Sequence, residues 1–224
     1  MIKIEHVEVY GFEPALRGMR NPKNSWDRGD SGWEVYADPA QPEDFAAFVV
    51  GPNDRDLALR LIAGGPVHAK FRRMIMCWAD IAAPLDWWIE FDTYREGVEK
   101  NSCSRMHKLM DRPLTIEDFD TERMHALAMD DLQRTIGRVN WLIERYKATD
   151  SPENKAVYFD SARKLLPDSY VQRRTVMMSY EALANMYRWR KDHRQKNWRD
   201  FCAWIESLPN SWIITGRLGE CTKR

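Results

Sequence analysis

The chain has 224 residues, 44% hydrophobic and 12% aromatic, enough for one large domain or two small ones with a buried core. Lys and Arg number 34 and so do Asp and Glu, so the formal net charge is zero. That balance argues against general nucleic-acid binding and against membrane-surface adhesion, while leaving room for a local basic pocket.

No apolar run approaches the roughly 18 residues of a membrane span. The opening MIKIEHVEVYGF lacks the apolar core of a signal peptide, so the expected location is the cytoplasm. Residues 2–10 read as a strand, with Ile2, Ile4, Val7 and Val9 among charged residues and one break in the alternation. FEPALRGMRNP follows as a short helix, with Pro14 early and a stop at Asn21-Pro22. Residues 21–53 have the composition of loops, with one short strand near Trp33–Tyr36. Asp54–Ala63 reads as a short helix closed by Gly64-Gly65-Pro66, and Phe71–Ala83 as a buried strand. Pro84 then opens an aromatic helix at Trp87-Trp88.

The second half is mostly helical. Thr121–Ala148 is a long helix with Leu127, Leu132, Ile136, Val139, Ile143 and Tyr146 at helical spacing. Pro152–Leu165 is a second helix, VQRRTVMMS an extended piece, and Tyr180 to about Arg194 a third helix. Trp198–Leu208 is the last helix, followed by a tail, residues 209–224, ordered around Trp212–Ile214. The pattern predicts an α+β single domain: a mixed part over 1–110 with a sheet, a helical part over 111–208, and the tail.

The densest chemistry lies between Pro84 and Lys108, where Trp87 and Trp88 run into Tyr94, Arg95, Lys100, Asn101, Ser102, Ser104, Arg105 and His107. Guanidinium and ammonium groups hold phosphate, hydroxyls and amides orient it, and aromatic faces stack on rings, so the stretch suits a flat, anionic ligand. A helix end followed by a polar surface loop, with both tryptophans in the core, would look the same. Cys77, Cys103, Cys202 and Cys221 form no CxxC pair and the histidines no HxxxH or HExxH, so no metal site is expected. Cys77 and Cys202 read as core thiols; Cys103, between Ser102 and Ser104, is a candidate nucleophile.

Three segments, in order, resemble the flavin-dependent thymidylate synthase family. LIAGGPVHAKFRRMIMCWADI places His68 and Phe71 much as that family places a His and a Phe before a strand. WIEFDTYREGVEKNSCSRMH falls where the family has its RHRxxSxNExSxRY signature. ARKLLPDSYVQRRTVMMSYEALANMYRWR matches at Ala162, Arg163, Leu166 and Pro167, and at Leu183 and Arg190. The signature is eroded: Ser102 matches in one register, Arg95 and Arg105 in the other, and neither keeps the family's histidine. The Asn and Arg before the last helix become Ser179 and Glu181.

The resemblance implies a ThyX-like fold and reductive methylation at C5 of a dUMP-like nucleotide monophosphate. FAD would supply hydride, methylenetetrahydrofolate the carbon, and the assembly would be a homotetramer. It assigns Arg190 to the uracil carbonyls as catalytic and substrate-binding residue, and Arg95, Ser102 and Arg105 to substrate phosphate. It assigns His68, Tyr94 and Ser179 to the flavin. The eroded signature also fits an alternative: a non-catalytic module that senses or sequesters a nucleotide. A third reading is a structural or interaction protein.

Overall fold

A computed structural model describes residues 2–36, 45–104 and 108–217. In chain order its elements are β1 (Lys3–Tyr10), α1 (Phe12–Met19), β2 (Gly32–Tyr36), β3 (Phe45–Val49), α2 (Pro52–Ala63), β4 (Met76–Pro84), α3 (Leu85–Phe91), β5 (Val98–Ser102), α4 (Ala126–Ala148), α5 (Pro152–Leu165), β6 (Val171–Ser179), α6 (Tyr180–Arg190), α7 (Lys196–Glu206) and α8 (Trp212–Thr215). The strands β1, β4, β6 and β5, in that order, form a four-stranded sheet. Antiparallel β2 and β3 pair from Gly32 opposite Val49 to Tyr36 opposite Phe45. This is the α+β architecture that the pattern predicts. Among the described residues no helix is long and apolar enough to cross a membrane.

The chain packs as two compact units, each drawn from separate stretches of sequence. The first holds Met1–His6, Ala79–Tyr94 and Lys100–Val176; the second holds Val7–Trp78, Arg95–Glu99 and Met177–Arg224.

In the first unit α4 and α5 close a core that includes Leu114, Phe119, Leu132, Val139, Ile143 and Ala162. Asn140 clamps the approach to it, donating to the Leu114 carbonyl at 2.9 Å and accepting the Leu114 N–H at 2.7 Å. The helix α4 starts at Ala126, later than expected, because His125 caps it: the ring Nδ1 accepts the Leu127 N–H at 3.3 Å. Leu127 therefore lies in the first turn, 70% exposed, and Leu142 takes its place in the apolar stripe. Trp87, Trp88 and Phe91 of α3 are fully buried, and the Trp88 indole N–H donates to the Gln172 carbonyl at 2.9 Å. The tryptophan pair is thus core and offers no stacking platform.

His6 has φ 50 in the middle of β1, a left-handed residue that shifts the strand's facing by one place, where the apolar alternation breaks between Ile4 and Val7. Nearby, Asp80 accepts from the Thr175 hydroxyl and from Arg173 Nη2 at 2.7 Å, and lies 3.0 Å from His6 Nδ1. These bonds, Thr175 first, pull the Asp80 carboxyl down from 3.8 to about 2. A depressed carboxylate contributes stability above its unfolded pKa and loses it as pH falls through the folded one. Between pH 4 and pH 2 the melting midpoint of the protein is accordingly expected to fall more steeply than that of Asp80→Asn. Parallel acid limbs would show that this knot contributes nothing.

In the second unit α1 buries Phe12, Ala15, Leu16 and Met19, one helical face. Gly11 at its start has φ +98, and a Cβ there would lie 2.2 Å from the Met74 carbonyl oxygen, so only glycine fits. Tyr180, fully buried, packs edge-on against Phe12 and donates to the Pro209 carbonyl at 2.6 Å. Leu183, Met186, Trp198, Phe201 and Ile205 extend this core from α6 and α7.

Cys77 and Cys202 are buried as expected, and desolvation raises each thiol to about 12. Local assignments differ elsewhere too. β3 forms inside a stretch with loop composition, because FAAFV supplies a paired strand. Lys70–Met74 is a 3-10 turn, and β4 starts only at Met76. β5 runs through the polar cluster. The helix α6 ends at Arg190, and α7 begins at Lys196.

Candidate functional site

A cavity of about 480 Å³ lies within the second unit. Its walls come from three places in the sequence. Arg72 and Arg73 stand on the 3-10 turn before β4. Glu96 and Gly97 form the turn before β5. Ser179 ends β6, and Glu181, Asn185 and Arg188 follow on α6. The spacing of 181, 185 and 188 puts those three side chains on one helix face. Backbone bonds fix the walls: Ser179 N–H donates to Gly97 O at 2.8 Å and Tyr180 N–H to Ile75 O at 2.9 Å. Ser179 Oγ caps α6 by accepting the Ala182 N–H at 3.1 Å.

Three guanidinium groups face two carboxylates here. Arg72 donates from Nη2 to the Ile214 carbonyl at 3.4 Å, but its Nε is buried without a partner, and so is Oε2 of Glu181. Burial lowers the Arg72 pKa, and the Glu181 carboxylate opposes that shift. Unmade bonds on buried charged groups cost free energy until something supplies the missing partner. The lining therefore offers donors for an anionic group and an acceptor for an N–H or O–H.

The polar cluster after α3 behaves differently. In the first unit Arg174 Nη1 lies 2.9 and 3.1 Å from the two Asp92 oxygens, and Lys100 Nζ 2.7 Å from one of them. The Arg174 guanidinium also stacks 4.2 Å over the Trp88 ring. Burial pushes the Asp92 carboxyl up, but Lys100 and Arg174 outweigh it and hold it below the usual range. Part of the cationic charge that suggested a ligand is thus neutralised internally.

Of the residues singled out from the sequence, Ser179 lines the cavity. Arg95 is exposed, next to Glu96 in the same turn, and His68 is exposed in the turn before Lys70. Arg190 is not among the cavity's lining; its guanidinium lies 4.6 Å over the Trp198 ring, with Nη1 3.0 Å from His193 Nε2. Tyr94 is half-buried after α3, Ser102 is exposed at the end of β5, and Arg105 lies outside the described residues. Cys103 is exposed, its N–H bonded to the Arg173 carbonyl at 2.9 Å. Arg72, Arg73 and Arg188 were not foreseen. Their signal was two adjacent arginines after His68 and Phe71, and an Arg three places after Asn185 on one helix face.

Solved structures share this fold. The fold is ThyX-like. Thymidylate synthase X from Helicobacter pylori, crystallised with FAD and dUMP, superposes with a TM-score of 0.61 at 14% identity, over 96% of this chain and 97% of that one. A second structure of flavin-dependent ThyX from the same organism, complexed with FAD and dUMP, gives 0.57 at 15% identity, over 95% of each chain. The UMP/dUMP methylase PolB from Streptomyces cacaoi, bound with 5-Br UMP, gives 0.56 at 14% identity, over 92% of this chain and 88% of that one. No protein-family model and no curated protein sequence matches the chain.

Proposed function

We propose that this protein is a flavin-dependent, nucleotide C5-alkylating enzyme of the thymidylate synthase kind, acting on a dUMP-like monophosphate. The observation that carries the reading is the cavity walled by Arg72, Arg73 and Arg188, with unpartnered buried atoms on Arg72 and Glu181. It lies in a fold shared with proteins solved with FAD, dUMP and 5-Br UMP. Fold alone does not assign chemistry; the site has to.

The lining residues fit a phosphate-bearing cofactor. The guanidinium groups of Arg73 and Arg188 suit phosphate oxygens, and Glu181 suits a ribose hydroxyl or an amine. When bound, FAD supplies the hydride of the reaction, and methylenetetrahydrofolate supplies the carbon. The protein's part is to hold charge and exclude water. By the resemblance alone, Arg190 is assigned to the uracil carbonyls, Arg95, Ser102 and Arg105 to the substrate phosphate, and His68 and Tyr94, with Ser179, to the flavin. A homotetramer acting in the cytoplasm belongs to the same reading.

The alternative, a nucleotide-binding module without catalysis, is favoured by the eroded signature and by Glu181, which stands where the family has an arginine. An absorbance spectrum from about 300 to 550 nm, taken after adding FAD and desalting, separates the two. The enzyme reading expects retained flavin bands and then turnover of dUMP. Colourless protein whose melting temperature rises with a nucleotide would replace it with the binding module.

A further inference from the structure

The second unit carries another polar cavity, of about 740 Å³, that shares no lining residue with the one beside Ser179. One face of α2, from Asn53 to Arg60, forms one wall, and the loop from Arg20 to Arg28 the other. Arg20 is 4% exposed. Its Nε donates to Asp54 at 2.6 Å and its Nη1 to the Ser25 carbonyl at 3.3 Å, while Nη2 is buried with no partner. Asp54 is also held from the other side: its second oxygen accepts from the N–H groups of Asp30 and Ser31 and from the Ser31 hydroxyl.

Arg60 is paired with Asp56 at 2.7 Å, as Arg20 is with Asp54. With these pairs neutral, Lys23 and Arg28 face the cavity against the single carboxylate of Asp27, and both are exposed. Among the described residues neither cation has a side-chain partner. A water would satisfy the Nη2 of Arg20, but it would leave the two lining cations uncompensated.

We infer that this cavity binds a phosphate-bearing small molecule. Its phosphate takes the unmade bond of Arg20 and is clasped by Lys23 and Arg28, while Asp27 accepts from an amine or hydroxyl of the same molecule.

Titration calorimetry on the whole protein tests this with inorganic phosphate, phosphoethanolamine and citrate. Both phosphate probes are expected to bind, phosphoethanolamine more tightly through its amine, and citrate is expected not to bind. Lys23→Gln/Arg28→Gln should weaken phosphate binding by at least about tenfold, since each charge-assisted bond lost is worth about that factor. Arg28→Gln alone should weaken it less. Lys164→Gln, an exposed change in the first unit, should leave it unchanged. No heat from either phosphate probe, equal binding by the double variant, a preference for citrate, or loss of binding on Lys164→Gln would each overturn the assignment.

Discussion

Gly97→Ala is expected to lower the free energy of unfolding by about 2–4 kcal/mol, the sum of a left-handed penalty on a Cβ residue and a lost helix cap. Gly97 has φ +69, and a Cβ there would lie 2.4 Å from Ser179 Oγ and 3.2 Å from Ser179 Cβ. The hydroxyl cannot swing away cheaply, because it caps α6 through the Ala182 N–H. The two residues are also joined through the Ser179 N–H and the Gly97 carbonyl. Relief of the clash must therefore disturb either the turn before β5 or the first turn of α6, and both are walls of the Ser179 cavity. Urea unfolding of a double-mutant cycle checks the cause. In a Ser179→Gly background, Gly97→Ala should cost clearly less than in the native one. Equal costs would mean that Ser179 is not what the new methyl meets.

How much of this was legible in the sequence depends on where the signal was carried. The helix α5 is bounded as read, with Pro152 at its first position, Ser151 as its cap and Leu166-Pro167 beyond its end. Such local signals survive because capping and proline geometry act within a few residues. β5 did not show, because Glu99, Lys100, Asn101 and Ser102 carry no apolar alternation. It is an edge strand, bonded on one side to β6, and its polar side chains face solvent or Asp92. The Asp92–Arg174 pair joins residues 82 apart in sequence, so nothing local reveals that an apparent ligand-binding charge is already matched. The site reading failed to foresee Arg72 and Arg73 for a related reason. RRMIMCW reads as one strand, whereas the two arginines belong to a 3-10 turn that points chain direction and side chains elsewhere before β4 begins.

Arg188→Gln is expected to weaken binding of a phosphate-bearing nucleotide or of FAD by about 10- to 100-fold, the range for one charge-assisted hydrogen bond. The fold should be nearly unchanged, since Arg188 is exposed on α6 and its recorded packing is 5.3 Å over the ring of the exposed Trp189. Arg190→Ala should do the reverse to stability. Arg190 lies over the buried Trp198 and beside His193, so truncation removes a cation–π contact worth about 0.5–2 kcal/mol. Thermal shift of both variants, with and without nucleotide, separates the residues, because a ligand selective for the folded state raises the melting midpoint by an amount that grows with the logarithm of its affinity. A ligand-induced rise that disappears in Arg188→Gln and persists in Arg190→Ala places the phosphate in the cavity of Arg72, Arg73 and Arg188. A rise that persists in Arg188→Gln and disappears in Arg190→Ala removes that cavity from the binding site and supports the base contact that the family resemblance gives to Arg190. The two arginines are two places apart on one helix, about 200° around its axis at 3.6 residues per turn, so a single ligand anion cannot be held equally by both.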